Sequence, residues 1–280
     1  LGDASAESIA IVDLLLPLAT ILVAGGFAGF MSGLLGIGGG FVVVPALFLM
    51  AEPLGVDQEL AMHMAVGTSL AAMIVTTARS ARGHDLRGSM DRALLIRLLP
   101  AILIGAIGGA LFASSLKGPT LTAIFAGAAF MLSIRTYLGR EATSDTARPM
   151  AIVLQYGAAA MVGFASAVVG IGGAAFGAPL FTRLGLGFHK VVGTAAGVGV
   201  LVAIPAAIIY ALSGLDQPGR PPWSLGYVNV PGCVLILIST ALTTRFGLRL
   251  NTKLTATQLR QIFAAFLMAT AMRMAWSLAS

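Results

Sequence analysis

Eight stretches of this 280-residue chain contain no Asp, Glu, Lys or Arg: 14–51, 60–78, 98–116, 118–134, 149–182, 191–215, 221–244 and 261–272. A charge at the centre of a bilayer costs about 2.5–3.5 kcal/mol on the insertion scale, so charge-free apolar stretches mark the segments that can sit in lipid. The chain as a whole is 58% hydrophobic and 10% charged. Soluble domains carry about 25% charged residues. This chain has too little polar surface to cover a water-soluble globule, and the expected fold is an all-α polytopic membrane protein. A net charge of +6 would point to nucleic acid in a soluble chain. Here the bases lie in short gaps between apolar stretches, as cytoplasmic loops do, so nucleic acid is not an expected partner.

The windows come in an order of lengths, long, medium, medium, short, that runs twice. The residues repeat with it. Gly29-Phe-Met-Ser32, Gly36-Ile-Gly38-Gly39 and Pro45 return 134 residues later as Gly163-Phe-Ala-Ser166, Gly170-Ile-Gly172-Gly173 and Pro179. His63 and Gly67-Thr68 return 126 residues later as His189 and Gly193-Thr194. Ile124-Phe125 and Arg135 return 138 residues later as Ile262-Phe263 and Arg273. Three collinear blocks predict a duplicated chain: residues 1–139 as a first repeat, 140–149 as a linker and 150–280 as a second repeat.

The two long windows, 14–51 and 149–182, cannot be single crossings. As one helix each would be about 50–57 Å long, against a hydrocarbon core of about 30 Å. Each holds a glycine cluster followed by a proline, which predicts a broken helix pair whose second, shorter helix starts near Phe41 or Ala174. With both long windows as hairpins, and with the arginine-rich gap 79–97 in the cytoplasm, the inner gaps become 79–97, 135–148, 183–190 and 245–260. These hold 14 of the 17 Lys and Arg residues. Each repeat then has a hairpin and three crossings. Three is odd, so the second four-helix repeat is inverted relative to the first, an arrangement found in transporters.

Candidate site residues follow from this plan. Gly36, Gly38, Gly39 and Gly40, with Gly170, Gly172 and Gly173, would let the backbone unwind and approach a ligand. The short helices after them would offer free N–H groups and the positive end of the helix dipole to an anion. His63 and His189 are candidate donors or proton-linked gates. Thr68, Ser69 and Thr194 are candidate hydroxyl donors. Each has a plainer alternative: packing through small residues for the glycines, interfacial solvation for the histidines, and bonds to carbonyls four residues back for the hydroxyls. Packing is the favoured role of Gly29/Gly33, Gly105/Gly109 and Gly193/Gly197, while Arg135 and Arg273 are expected to snorkel. No carboxylate lies inside any window, which argues against a cation pump. No His-Glu-x-x-His occurs either, leaving only a Ser–His pair through Ser32 or Ser166 as an enzymatic option. The lone cysteine, Cys233, reads as a buried small hydrophobe.

The block Gly36-Ile-Gly-Gly-Gly40-Phe with Pro45, the Ala65-Val-Gly67-Thr-Ser69 run and the run Pro222-Trp-Ser-Leu-Gly-Tyr-Val-Asn229 resemble the sulfite exporter TauE/SafE family over about residues 20–277. The resemblance implies a bacterial inner-membrane permease with inverted repeats that moves sulfur-containing anions, among them sulfite, sulfoacetate and other organosulfonates. The expectation is a secondary transporter working as an exporter, with a passive anion channel as the alternative and an intramembrane enzyme as a remote third. The expected partners are a small anion and the lipid bilayer. No cofactor or metal is expected, and a homodimer is compatible with this reading. The two repeats differ at Gly105 and Gly108-Gly109, where the second has Thr240-Ala-Leu-Thr-Thr244, so close packing need not be symmetric there. They differ again at Gly40, which corresponds to Ala174.

Overall fold

The computed structural model describes residues 19, 21–23, 25–31, 40–51, 55–138, 150–251 and 254–279. Gly36, Gly38 and Gly39, with Ser32, Gly33 and the expected 140–149 linker, lie outside the described residues. In chain order come α1 (Ile21–Met31), α2 (Gly40–Ala51), α3 (Gln58–Leu86), α4 (Arg92–Ser114) and α5 (Gly118–Leu138). Then follow α6 (Ile152–Val169), α7 (Ala174–Arg183), α8 (Phe188–Ser213), β1 (Ser224–Leu225), β2 (Val228–Asn229), α9 (Val230–Asn251) and α10 (Ala256–Ala279). Among the described residues, six helices are long and apolar enough to cross a bilayer: α3, α4, α5, α6, α8 and α10. The chain is a multi-pass helical membrane protein.

Local chemistry sets the helix boundaries. Asp57 caps α3 by accepting the Glu59 amide at 3.1 Å, and Asp91 caps α4 by accepting the Leu94 amide at 2.9 Å. Both remove an orphan donor of a first helical turn. Helix α6 stops where Gly170 turns left-handed, at φ +69°. The window 221–244 is not helical throughout. Pro221, Pro222 and Gly226 hold residues 221–229 in a turn and a short antiparallel hairpin, Ser224 facing Asn229, before α9 begins. Proline lacks the amide a helix interior needs, so counting charges alone overestimates this helix.

Helix α3 is the central element. Of its most apolar 18 residues, 78% lie inside the protein, against 33–50% for the other spans. It packs along α8, while α4 packs along α6 and α5 along α10. Helix α1 packs on α9, with Ala28, Met31 and Ile236 buried together. Small residues let these backbones approach. A Cβ on Gly109 would come within 2.9 Å of the Phe164 Cα in α6. One on Gly29 would come within 2.5 Å of the Thr240 Cα in α9. The α4–α6 contact has glycine on both helices. On the α1–α9 contact, α9 instead presents Thr240, Thr243 and Thr244. Thr243 and Thr244 bond carbonyls of their own helix, and Thr240 reaches the Gly25 carbonyl at 3.4 Å. The exposed apolar residues Ile96, Ile104, Leu111, Met131 and Leu242 form part of the outer, lipid-facing surface.

Candidate functional site

The break between α6 and α7 lies deep in the protein. A left-handed residue costs a side chain about 1–2 kcal/mol, which glycine avoids. At Gly170 a side chain would also crowd Val66, its Cβ 2.9 Å from Cγ1. The Ile171 amide folds back onto the Ser166 carbonyl at 3.0 Å, and Ile171 is fully buried. Helix α7 then starts at Gly173 and Ala174 with no side chain capping its free amides.

The start of α2 sits directly on this break. A Cβ on Gly40 would lie 2.9 Å from both the Gly170 carbonyl oxygen and the Ile171 Cα. The Ser69 hydroxyl, on the fully buried face of α3, donates to the Gly170 carbonyl at 3.2 Å. One turn further along α3, Met73 places its thioether between the two helix starts. Its Sδ lies 3.1 Å from where a Gly40 Cβ would be, and its Cε lies 3.3 Å from the same position on Gly172. Gly173 faces α8, where a Cβ would crowd Val198 at 2.5 Å. Gly40, Ser69, Gly170 and Gly172 thus converge with Met73 at one buried point, and Gly173 borders it.

The start of α6, and α8 after α7, both lie near the start of α4. The Arg97 guanidinium donates to Gln155 at 2.7 Å near the start of both α4 and α6. Helix α7 leads into α8, whose Gly193 rests against Ser89 just before α4.

The remaining expected residues lie elsewhere. Thr68 is buried, but its Oγ1 accepts the Asn229 amide at 2.9 Å. Thr194 is buried, and its Oγ1 accepts the Asp91 amide at 3.0 Å. His63 is 3% exposed and stacks on Tyr227 with ring centroids 4.8 Å apart. A carbonyl can only accept, so the 3.1 Å contact between His63 Nδ1 and the Glu59 carbonyl puts the ring proton on Nδ1. Nε2 is buried without a hydrogen bond among the described residues. Interfacial solvation therefore does not describe His63, whereas His189 is exposed, its ring edge-on to Phe188. The Ser166 hydroxyl is buried and bonds nothing among the described residues, so it forms no pair with a histidine. Also among the described residues, no cluster of His, Cys, Asp and Glu could hold a metal ion.

Met73 and Asp91 take part in these contacts without having been singled out in the sequence, and Tyr227 and Asn229 stood out only as part of the run Pro222–Asn229. Met73 was legible as the next turn on the face of Ser69. Asp91 and Asn229 stand 138 residues apart, the offset of the third repeated block.

The profile of the family described as "Sulfite exporter TauE/SafE" matches residues 21–274. A Haemophilus influenzae protein named "Probable membrane transporter protein" is 31% identical over 253 residues, covering 90% of this chain and 96% of its own. A Methanocaldococcus jannaschii protein, also named a probable membrane transporter protein, is 24% identical, covering 91% of this chain and 93% of its own. The Bacillus subtilis probable membrane transporter protein YunE is 26% identical, covering 76% and 83%. No solved structure is significantly similar. The agreement runs through both glycine-bearing halves, and the chain belongs to the sulfite exporter TauE/SafE family.

Proposed function

We propose that the chain is a secondary transporter, working as an exporter, of a small sulfur-containing anion across the bacterial inner membrane, with sulfite or an organosulfonate such as sulfoacetate as cargo. The observation that carries this reading is the seating of the α2 start on the α6–α7 break, at a buried point with Ser69 and Met73 around it. Helix starts expose amides and a positive dipole end, which suit an oxyanion without a buried side-chain charge. The anion is held by amides around Gly172, Gly173 and the starts of α2 and α7.

The same reading takes residues 1–139 and 150–280 as inverted repeats, each opening with a re-entrant helix pair. Three features support it. Helix α6 starts beside the start of α4, and α8, which follows α7, lies near the start of α4 as well. Helices α3 and α8 pair with each other, as do α5 and α10, each pair being counterparts in the two repeats. Finally, α1 lies on α9 as α6 lies on α4.

The test is sulfite flux in liposomes reconstituted with the full chain, under an imposed proton or sodium gradient. Uphill accumulation is expected. Strictly downhill flux would make the protein a channel, and a product chemically distinct from sulfite would make it an enzyme.

A further inference from the structure

One set of contacts occurs twice, and it involves residues expected to bind substrate. In α3, Thr68 Oγ1 accepts the amide of Asn229 at 2.9 Å. In α8, Thr194 Oγ1 accepts the amide of Asp91 at 3.0 Å. Each amide donor belongs to a helix cap. Asp91 Oδ1 accepts the Leu94 amide at 2.9 Å in the first turn of α4, and Asn229 Oδ1 accepts the Gly232 amide at 2.7 Å in the first turn of α9. The residue before each threonine is glycine, and each glycine makes room for the backbone that leads into the cap. A Cβ on Gly67 would lie 2.7 Å from the Tyr227 carbonyl oxygen, and one on Gly193 would collide with the Ser89 carbonyl oxygen. The threonines stand 126 residues apart, while the caps and the carbonyls both stand 138 apart. Two kinds of contact therefore occur together at both junctions, each joining the second long helix of one half to the approach to the third of the other.

The two junctions sit at opposite ends of the α3–α8 pair. Gly67 touches Tyr210 near the end of α8, and Gly193 touches His84 near the end of α3. The 16 residues from Thr68 to His84 span about 24 Å along α3. They also differ in cover. The Thr68 junction lies under the stacked rings of His63 and Tyr227, both nearly fully buried. Asn229 is partly open, as Asp91 is, but Tyr227 and Val228 before it are buried, whereas Ser89 and Met90 before Asp91 are partly open and His189 is exposed.

We infer that the Gly67-Thr68 and Gly193-Thr194 pairs are clasps, positioning residues whose hydroxyls seat the caps of α9 and α4 and do not contact substrate. This rests on the transporter reading for its effect on turnover but not for the clasps themselves. The Thr68 clasp, flanked by buried residues, holds, and the Thr194 clasp, whose flanking residues are open, releases more readily, since a hydrogen bond within reach of water opens at lower cost.

The test pairs amide-resolved hydrogen exchange on the full chain in lipid nanodiscs with sulfite flux in liposomes. In the wild type the Asp91 amide exchanges at least about tenfold faster than that of Asn229, and equal rates would remove the asymmetry between the clasps. Thr194→Val speeds exchange at Asp91 and not at Asn229, and Thr68→Val does the reverse. Both lower maximal sulfite flux without changing the half-saturating concentration, and Thr→Ser, which keeps Oγ, restores both readouts. Should Thr68→Val not fold, Thr194→Val at the open end carries the same test. Unchanged exchange at the caps, or a raised half-saturating concentration, would overturn the clasps and return the hydroxyls to the substrate. Faster exchange with normal flux would reduce them to structural staples, which also contradicts the inference. If the wild type moves no sulfite, the cargo reading fails, while the exchange measurements still decide the clasps.

Discussion

Three glycines at the α6–α7 break separate conformation, packing and space. Gly170 is left-handed, so Gly170→Ala costs about 1–2 kcal/mol in backbone strain, and the thermal midpoint in detergent should fall. Gly173 abuts Val198, so Gly173→Val would disturb packing before it could report on a ligand. Gly172 is the cleaner probe, because among the described residues a methyl there meets only the flexible end of Met73, at 3.3 Å. Gly172→Ala should keep its thermal midpoint and lose most sulfite flux. Full flux in a folded variant would take Gly172 out of the site. The break was legible in the sequence, because a charge-free window too long for one crossing contained a glycine cluster. The partners of Thr68 and Thr194 were not legible. Their hydrogen bonds reach residues 161 and 103 positions away, and a hydroxyl's sequence neighbourhood does not say which distant amide it will accept.

At the scale of elements, the glycine pattern of α4 distinguishes an interface from a free surface. Gly109 lies against the α6 backbone, whereas among the described residues a Cβ on its neighbour Gly108 would meet nothing within 4 Å. Alanine is about 1 kcal/mol better than glycine in a helix interior. Gly108→Ala should therefore match or exceed the wild-type thermal midpoint and membrane yield, and Gly109→Ala should lower both. Equal behaviour of the two would mean that α4 does not pack on α6 through this face. The sequence anticipated helices beginning close to Phe41 and Ala174, and they begin at Gly40 and Ala174. It missed the hairpin before α9, because the absence of charge marks residues that lipid can tolerate without revealing whether they are helical. The prolines at 221 and 222 carried that information.

At the scale of the molecule, the distribution of basic residues predicts that the turn after α3 and the end of α9 both face the cytoplasm. Single cysteines at Arg87 and Arg249, in a Cys233→Ser background, should resist an impermeant thiol reagent applied from outside and react after permeabilisation. Labelling from outside at either position would contradict the inverted arrangement. The α4–α6, α3–α8 and α5–α10 contacts, the most extensive among the described residues, all join one half of the chain to the other. During synthesis, the first half must therefore wait in the membrane with its best surfaces unmatched until the second arrives. Residues 1–139 expressed alone should be degraded, while the two halves co-expressed as separate chains should rescue each other. On the inverted-repeat reading proposed above, an unduplicated ancestor would have met the same need by inserting in both orientations and pairing with its own upside-down copy.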